Sequence, residues 1–280
     1  MDWKEILRRE RHVPIRELEE ILMAVKIDTN KKTSIREYYT QINLDTHSIF
    51  ENQGSHSPFI LRSQEYYSQY SYPIFLVEYA NMKTLLIIAE QSHIQLPSYT
   101  IRALMKQILE GMRSFHSVGL VHRDIKCDNI LLHSPPGSGR VHVKISDFGF
   151  AKKVDLNNEQ TYLAGIFREL KNIERPKEIT DNQMWDLLSK LLEFDPDKRI
   201  SAAEALQHQY FTSPEALADI SPLQKEIAQL TATEKEKGKT NISEYDINPS
   251  FIVAESNKLN KDYISSREYH YLTEILSLPT

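Results

Sequence analysis

"LVHRDIKCDNILL" (Leu120–Leu132), followed by "VHVKISDFG" (Val141–Gly149), carries most of the information in this chain. Between Leu120 and Asn129 it places Arg123, Asp124, Lys126, Asp128 and Asn129, with an apolar pair before them and the apolar run Ile130–Leu132 after. A surface loop has no need for that much charge between two buried segments. Val141, Val143 and Ile145 alternate, which predicts a short strand. The "HSPPGSG" between the two stretches predicts the turn of a hairpin.

Working outward, Ile101, Leu104, Met105, Ile108, Leu109, Met112 and Phe115 recur at the three-and-four spacing of one buried helical face. That helix begins near Pro97 and is closed by Gly119. Upstream, "ILMAVKI" (21–27) and "YPIFLVEYA" (72–80) predict strands, and 34–53 carries a mixed helical pattern. Downstream, "TDNQMWDLLSKLLEFDPDKR" predicts an amphipathic helix with a capping box from Thr180 to Gln183, stopped by Pro196. Ser201 and Glu204 form a second box ahead of "AEALQHQYF". After Phe211 the periodicity weakens, and "TATEKEKGKTNISEYD" (231–246) reads as a solvated linker. Strands come first and helices after, which favours α+β over a regular βαβ alternation.

The chain has 280 residues, 40% hydrophobic and 26% charged, with a formal net charge of −5. That balance argues against a general nucleic-acid or anionic-membrane binder. No apolar stretch is long enough to span a bilayer, and "MDWKEILRRERH" lacks the apolar core of a signal peptide. The single cysteine, Cys127, allows no intrachain disulfide and fits a reducing compartment, cytoplasmic or nuclear.

"HRDIKCDN" followed by "DFG" resembles the catalytic core of the eukaryotic protein kinases, H-R-D-x-K-x-x-N and then D-F-G. Lys126, two residues after Asp124, is the variant of the Ser/Thr kinases. The resemblance implies a bilobal α+β fold with a small β-rich N-lobe and a mostly helical C-lobe. It also implies ATP- and Mg²⁺-dependent transfer of the γ-phosphate to a Ser/Thr hydroxyl of a protein substrate. Phosphoryl transfer asks a protein mainly for placement and charge neutralisation. By that resemblance Asp124 orients the proton of the attacking hydroxyl and Lys126 touches the transferred phosphate. Asn129 and Asp147 are the metal ligands. "MAVKI" matches the V-A-I-K strand, making Lys26 the residue that pairs the α- and β-phosphates. Ala24 and Leu131 line the adenine pocket from above and below. "FLVEYANMKTL" resembles the hinge, with Val77 at the gatekeeper place and the backbones of Glu78 and Ala80 facing adenine. Arg123 is expected to dock a phosphate on the following loop, with Thr161 its acceptor. The implied division is an N-terminal extension (1–20), a truncated N-lobe and hinge (21–81), a C-lobe (82–211) and a tail of unassigned role (212–280).

Three departures from the family pattern stand out. No glycine precedes Gly54, so the Gly-rich loop that covers the phosphates is missing. Counting from Ile49 and Phe50, the register points to Thr46 or Asp45. Asp45 could pair with Lys26 at a shorter reach, and Glu37 and Glu51 fit the register less well, so the partner of Lys26 is left open. Lastly, "TYLAG" (161–165) runs directly into "IFRELKNIERPKEIT", which omits the A-P-E motif and the central C-lobe helix. The abruptness of that change implies loss of one contiguous piece after Gly165. Arg199 then lacks its usual glutamate and is expected to be solvated or paired otherwise. The apolar face from Ile101 to Phe115 is left to be covered by the C-terminal tail or exposed. The alternative reading is a catalytically impaired, kinase-like binding module or an incomplete gene product.

Overall fold

The computed structural model describes residues 23–27, 30–50, 57–67, 74–90, 96–153, 174–193, 195 and 198–255. The N-terminal extension, Thr161, the Gly165 junction, Pro196 and the tail beyond Glu255 lie outside the described residues.

Strand β1 (Met23–Ile27) pairs antiparallel with β3 (Ile74–Glu78), whose other side takes β2 (Ser63–Tyr67). The register sets Ala24 opposite Val77 and Lys26 opposite Phe75. Helix α1 (Lys31–Phe50) follows β1, and Asn30 Oδ1 accepts from the Lys32 N–H at 3.0 Å at its start. Its inward face is largely polar: Ser34, Glu37, Thr40 and Gln41 are buried along with Leu44. A small core of Leu61, Phe75 and Val77, packed by Tyr38, Tyr66 and Leu131, holds this lobe together.

The larger lobe is built on β4 (Met82–Thr84), α2 (Leu85–Ala89) and α3 (Ser98–Ser117). It continues through β5 (Leu120–Val121), β6 (Ile130–His133), β7 (Arg140–Ile145) and β8 (Lys152–Lys153). The expected hairpin is present as β6–β7, with Ile130 opposite Ile145. Its sheet runs in the order β4-β6-β7-β9, where β9 is Val253–Ala254 of the tail. Leu104, Phe115, Leu120, Ile130, Leu132, Val141, Val143, Ile145 and Phe148 form the main core between α3 and the hairpin. Gly111 lets α3 approach closely: a Cβ there would stand 2.6 Å from Ile145 Cδ1. Gly119, at φ +68°, ends the helix in the left-handed region that glycine occupies at no steric cost. This is the bilobal α+β layout that the resemblance implies.

Helix α4 (Asn182–Leu191) is shorter than its sequence pattern. Its cap is Asp181, not Thr180, with Oδ1 accepting from the N–H groups of Gln183 at 2.8 Å and Met184 at 3.1 Å. The second box is present: Ser201 and Glu204 cap α5 (Ala202–Leu206) reciprocally. With α6 (Gln209–Thr212), α5 buries Ala202, Ala205, Tyr210 and Phe211 against Leu109 and Leu187. Arg199 is exposed and donates from Nε to the Glu193 carbonyl at 2.8 Å.

The reading of 231–246 as a solvated linker is overturned. Helix α7 (Pro214–Ala218) leads into α8 (Pro222–Glu236), which is capped by a Ser221–Gln224 box and runs through Thr231. Turns at Tyr245–Ile247 and Pro249–Phe251 then bring the chain back along α3, and β9 pairs with β7. The hydrophobic pattern misses this because the anchors are polar. Asp246, buried, accepts from His142 Nε2 at 2.8 Å and lies 3.2 Å from Arg140 Nε. Tyr245 donates to Glu110, and Gln224 Nε2 donates to the Ile252 carbonyl at 2.7 Å. Gln107 joins tail, helix and hairpin, donating to the Phe251 and Val141 carbonyls while its Oε1 accepts from Val143 N–H. The tail thus packs on the side of α3 that carries Lys106, Gln107 and Glu110, whereas Met105, Leu109 and Met112 of its apolar face meet Leu187, Ala205, Tyr210 and Phe211. Among the described residues no helix is long and apolar enough to cross a membrane.

Candidate active site

The hairpin explains why two residues eighteen positions apart can act together. Asn129 closes the turn that enters β6, and Asp147 follows two residues after β7 ends. Their connection is direct: Ser146 donates to the Asn129 carbonyl from its N–H at 2.8 Å and from its hydroxyl at 3.0 Å. Asn129 in turn directs its amide at Asp124, donating to the backbone carbonyl at 2.8 Å and to Oδ2 at 2.9 Å. With both amide hydrogens so used, the side-chain oxygen Oδ1 of Asn129 is the end that remains for a cation.

His122, fully buried, orders the loop from beneath. Its Nδ1 accepts from the Asp124 N–H at 3.3 Å and its Nε2 faces the Ser146 carbonyl at 3.1 Å, a pattern that fits a neutral ring protonated on Nε2. Burial pushes its pKa below the ordinary histidine value, which agrees with that neutral form. The ring also meets Phe148 edge-on, with Phe115 packed against both. Lys126 Nζ lies 3.1 Å from Asp124 Oδ2, and that hydrogen bond raises its pKa.

Two residues near the loop occupy the left-handed region without being glycine, Arg123 at φ 68° and Asp147 at φ 63°. Such conformations cost about 1–3 kcal/mol and persist where the surroundings over-determine them. At Asp147 they aim the carboxylate toward Lys26. Arg123 Nε donates to the Phe150 carbonyl at 2.7 Å, a backbone contact within the turn after Asp147.

The small lobe brings Lys26 to the same place. Its ammonium donates to Glu37 Oε1 at 3.0 Å and Oε2 at 2.8 Å, and to Asp147 Oδ1 at 3.1 Å. The register that favoured Asp45 is corrected: Glu37 is the carboxylate, on the buried face of the second turn of α1. Counting back from Ile49 and Phe50 misplaced the register; the Asn30 side chain at the helix start was the signal that could have fixed it. Burial disfavours the charge of Lys26, but Glu37 and then Asp147 outweigh that and raise its pKa, so the ammonium is the stable form. Two further contacts went unread in the sequence. Arg36 donates to the Gly149 carbonyl at 2.9 Å, and a Cβ on Gly149 would stand tightly against Thr33 Cβ, at 3.1 Å. Helix α1 is thereby fixed to the turn that carries Asp147.

The remaining site residues fall along the edge between the lobes. Ala24 faces Val77 across the sheet, and Leu131 packs into the small-lobe core beside Val77. Glu78 uses its carboxylate on Lys144 at 3.0 Å and on the Arg62 N–H, and its own N–H on the Arg62 carbonyl. Ala80 follows two residues later, half-buried.

The donor set fits a magnesium–nucleotide complex. Among the described residues no group of three or more His, Cys, Asp or Glu could hold a metal ion by itself. Asp147 and Asn129 Oδ1 are two oxygen donors, and Mg²⁺ is commonly held by one or two side chains with phosphates and waters completing an octahedron.

A family model described as the protein kinase domain matches residues 15–168, over half of the chain. A probable serine/threonine-protein kinase of Encephalitozoon cuniculi is 34% identical over 138 residues, covering 39% of this chain and 26% of that protein. The serine/threonine-protein kinase cds1 of Schizosaccharomyces pombe is 26% identical over 215 residues, 56% of this chain and 45% of the relative. The serine/threonine-protein kinase ULK1 of Homo sapiens is 44% identical over 70 residues, 24% of this chain and 7% of the relative. The chain thus spans less than half the length of these curated relatives. With its lobes, its hairpin and its matched motifs taken together, the chain belongs to the protein kinase family and, by resemblance, to its serine/threonine branch.

Proposed function

We propose that this chain is a protein serine/threonine kinase that uses ATP and Mg²⁺. The observation that carries the reading is Lys26, held at once by Glu37 from one lobe and Asp147 from the other. An isolated lysine in a strand needs no such pair of carboxylates, whereas one that must present a fixed cation to phosphate oxygens does. In this reading the bound Mg²⁺–ATP supplies the transferable phosphoryl group and the metal charge. Asp124, fixed by Asn129, orients a Ser/Thr hydroxyl and takes its proton. Lys126 neutralises charge at the transferred group. Asn129 and Asp147 hold the metal, and Lys26 contacts the inner phosphates. The Glu78 carbonyl and Ala80 backbone meet the adenine, with Ala24 and Leu131 on its two faces. The division into a truncated N-lobe (21–81) and a C-lobe (82–211) that has lost a contiguous piece after Gly165 belongs to the same reading. Sequencing the transcript across that junction tests the loss.

A second reading is favoured by the absence of glycine before Gly54: a module that binds nucleotide without transferring phosphate. Two measurements separate them. Mg²⁺–ATP raises the melting temperature of the wild type and not of Lys26→Met in both readings. Transfer of radiolabelled phosphate to a basic protein, lost in Asp124→Ala, belongs to the first alone. No thermal shift with nucleotide sinks both.

A further inference from the structure

Away from this site, a shallow, solvent-open cleft lies between α3 and the tail. Tyr99, Arg102, Lys106, Phe211, Leu217 and Ser250 are on its wall. Its cations differ. Arg102 is fully engaged: it pairs with Asp219, lies 3.6 Å from Asp181 and donates from Nε to the Tyr210 carbonyl at 3.0 Å. Lys106 forms no ion pair among the described residues. Its ammonium stands over two aromatic rings, 5.7 Å from the centre of Phe211 and 5.3 Å from that of Phe251, and donates to one oxygen, Ser250 Oγ, at 2.9 Å. Burial alone pushes its pKa down. A half-buried ammonium with a neutral hydroxyl as its polar partner is poorly compensated. An anion of more than one charge placed at that hydroxyl would correct it.

We propose that this cleft is a phosphoryl site, in which a phosphate esterified to Ser250 Oγ seats against Lys106 and staples the Pro249–Phe251 turn to α3. The group forms when the terminal P–O bridging bond of a nucleoside triphosphate breaks and the Oγ–P bond is made. The hydroxyl proton passes to the general base of the modifying kinase, and nucleoside diphosphate leaves. The ester costs the Ser250 hydroxyl its donation to Asn248 Oδ1. The Ser250 N–H keeps its own bond to the same oxygen at 3.0 Å, so the turn persists. A phosphoserine brings about −1.5 to −2 charges and three strong acceptors, enough to engage Lys106 directly. Next to Lys106, Gln107 ties Phe251 to Val141 and Val143 of β7. Tightening the turn therefore tightens the hairpin that carries Asn129 and Asp147. None of this depends on the chain's own catalytic competence.

The test is full-length chain made with phosphoserine encoded at position 250, compared with the unmodified chain by thermal melting. The ester should raise the melting temperature by about 3 °C, the effect of roughly one added charge-assisted contact in a chain of this size. The rise should vanish in Lys106→Met. An unchanged or lowered melting temperature, or a rise that survives Lys106→Met, overturns the proposal. Phosphorus NMR on the esterified wild type gives a readout that needs no folded variant. Facing Lys106, the phosphate's second ionisation should fall below its usual value near ~6, and an unshifted value counts against the site. Inorganic phosphate added to unmodified chain and to Ser250→Ala separates the sources. If it stabilises both as much as the ester does, the occupant is a free ion and the assignment of Ser250 is overturned.

Discussion

Hairpin β6–β7 and the small-lobe sheet β1-β3-β2 each deliver part of one polar site, yet they are anchored on different scales. Among the described residues the hairpin lies in a core cluster of fourteen buried side chains drawn from α1, the segment before β2, α3, β5, the hairpin itself, the turn after it and the tail. The small-lobe sheet rests on three, Leu61, Phe75 and Val77. Asp124, Asn129 and Asp147 are therefore fixed to a thick support and Lys26 to a thin one. The ion pairs from Lys26 to Glu37 and Asp147, with the bond from Arg36 to Gly149, do for the small lobe what apolar packing does for the hairpin. Packing is insensitive to ligand charge, whereas ion pairs respond to it. Under the proposed function, the half that would close on phosphates is thus held by the interactions that phosphates alter.

The sharpest way to break this comparison is at the base. Asp124→Ala should cut phosphate transfer by about 10²–10⁴-fold while leaving the nucleotide-dependent thermal shift in place. Radiolabel incorporation and melting on the same sample check both halves, and a lost thermal shift would mean that the two halves are not separable. Next in size is the tail's hold on the hairpin. Asp246 and Arg140 are both buried, so Asp246→Asn should cost about 3 kcal/mol, roughly 10 °C in melting temperature, because it strands a cation. Burial alone would raise the Asp246 pKa, but the His142 hydrogen bond, with Ser243 and Arg140, outweighs it and holds the carboxyl far below the usual range. A carboxyl with a depressed folded-state pKa stabilises fully above its unfolded value, about 4, and loses that stabilisation as pH falls toward the folded value. The gap in melting temperature between wild type and Asp246→Asn should accordingly narrow from pH ~6 to pH ~3. A constant gap would show that the residue acts by shape and not by charge.

Smaller effects test the packing side. Gly111→Ala forces a Cβ toward Ile145 Cδ1 and should cost about 1–3 kcal/mol in urea unfolding, without changing nucleotide affinity. If affinity falls instead, the hairpin transmits strain to the site. Ser201→Ala removes one half of a capping box and should cost about 1 kcal/mol, read by the same unfolding curve. Because α5 lies away from the hairpin, that loss should leave the site untouched.

Much of the large lobe was legible beforehand: the α3 face, the hairpin turn at "HSPPGSG" and the Ser201–Glu204 box all rest on apolar spacing or turn chemistry. The motif residues Asp124, Asn129 and Asp147 were singled out by resemblance instead, and the structure places them beside one another. What could not be read has a common physical cause. Helix α1 turns Ser34, Glu37, Thr40 and Gln41 inward, so hydrophobic periodicity gave its register no anchor and Asp45 was favoured over Glu37. The tail turns Gln224, Thr231 and Asp246 inward, so a folded segment carried the composition of a linker. Buried hydrogen-bonded polar residues are silent in any scale that ranks side chains by aversion to water. Local capping signals, Asn30 for α1 and Ser221 with Gln224 for α8, were the readable traces of both elements.

Strand β9 has a consequence of its own. Val253 and Ala254 occupy the outer flank of β7, and the Glu255 N–H donates to the Gly139 carbonyl at 2.8 Å, which satisfies peptide groups on that flank. A chain cut short before Val253 would leave Arg140 and Val141 as an open edge beside the buried Val143, the kind of flat, unpaired strand that recruits a neighbour. Shortened versions of this protein should therefore betray themselves by concentration-dependent self-association, visible in light scattering well before any loss of helix content. The last described strand is a shield against the protein's own copies as much as a contributor to its fold.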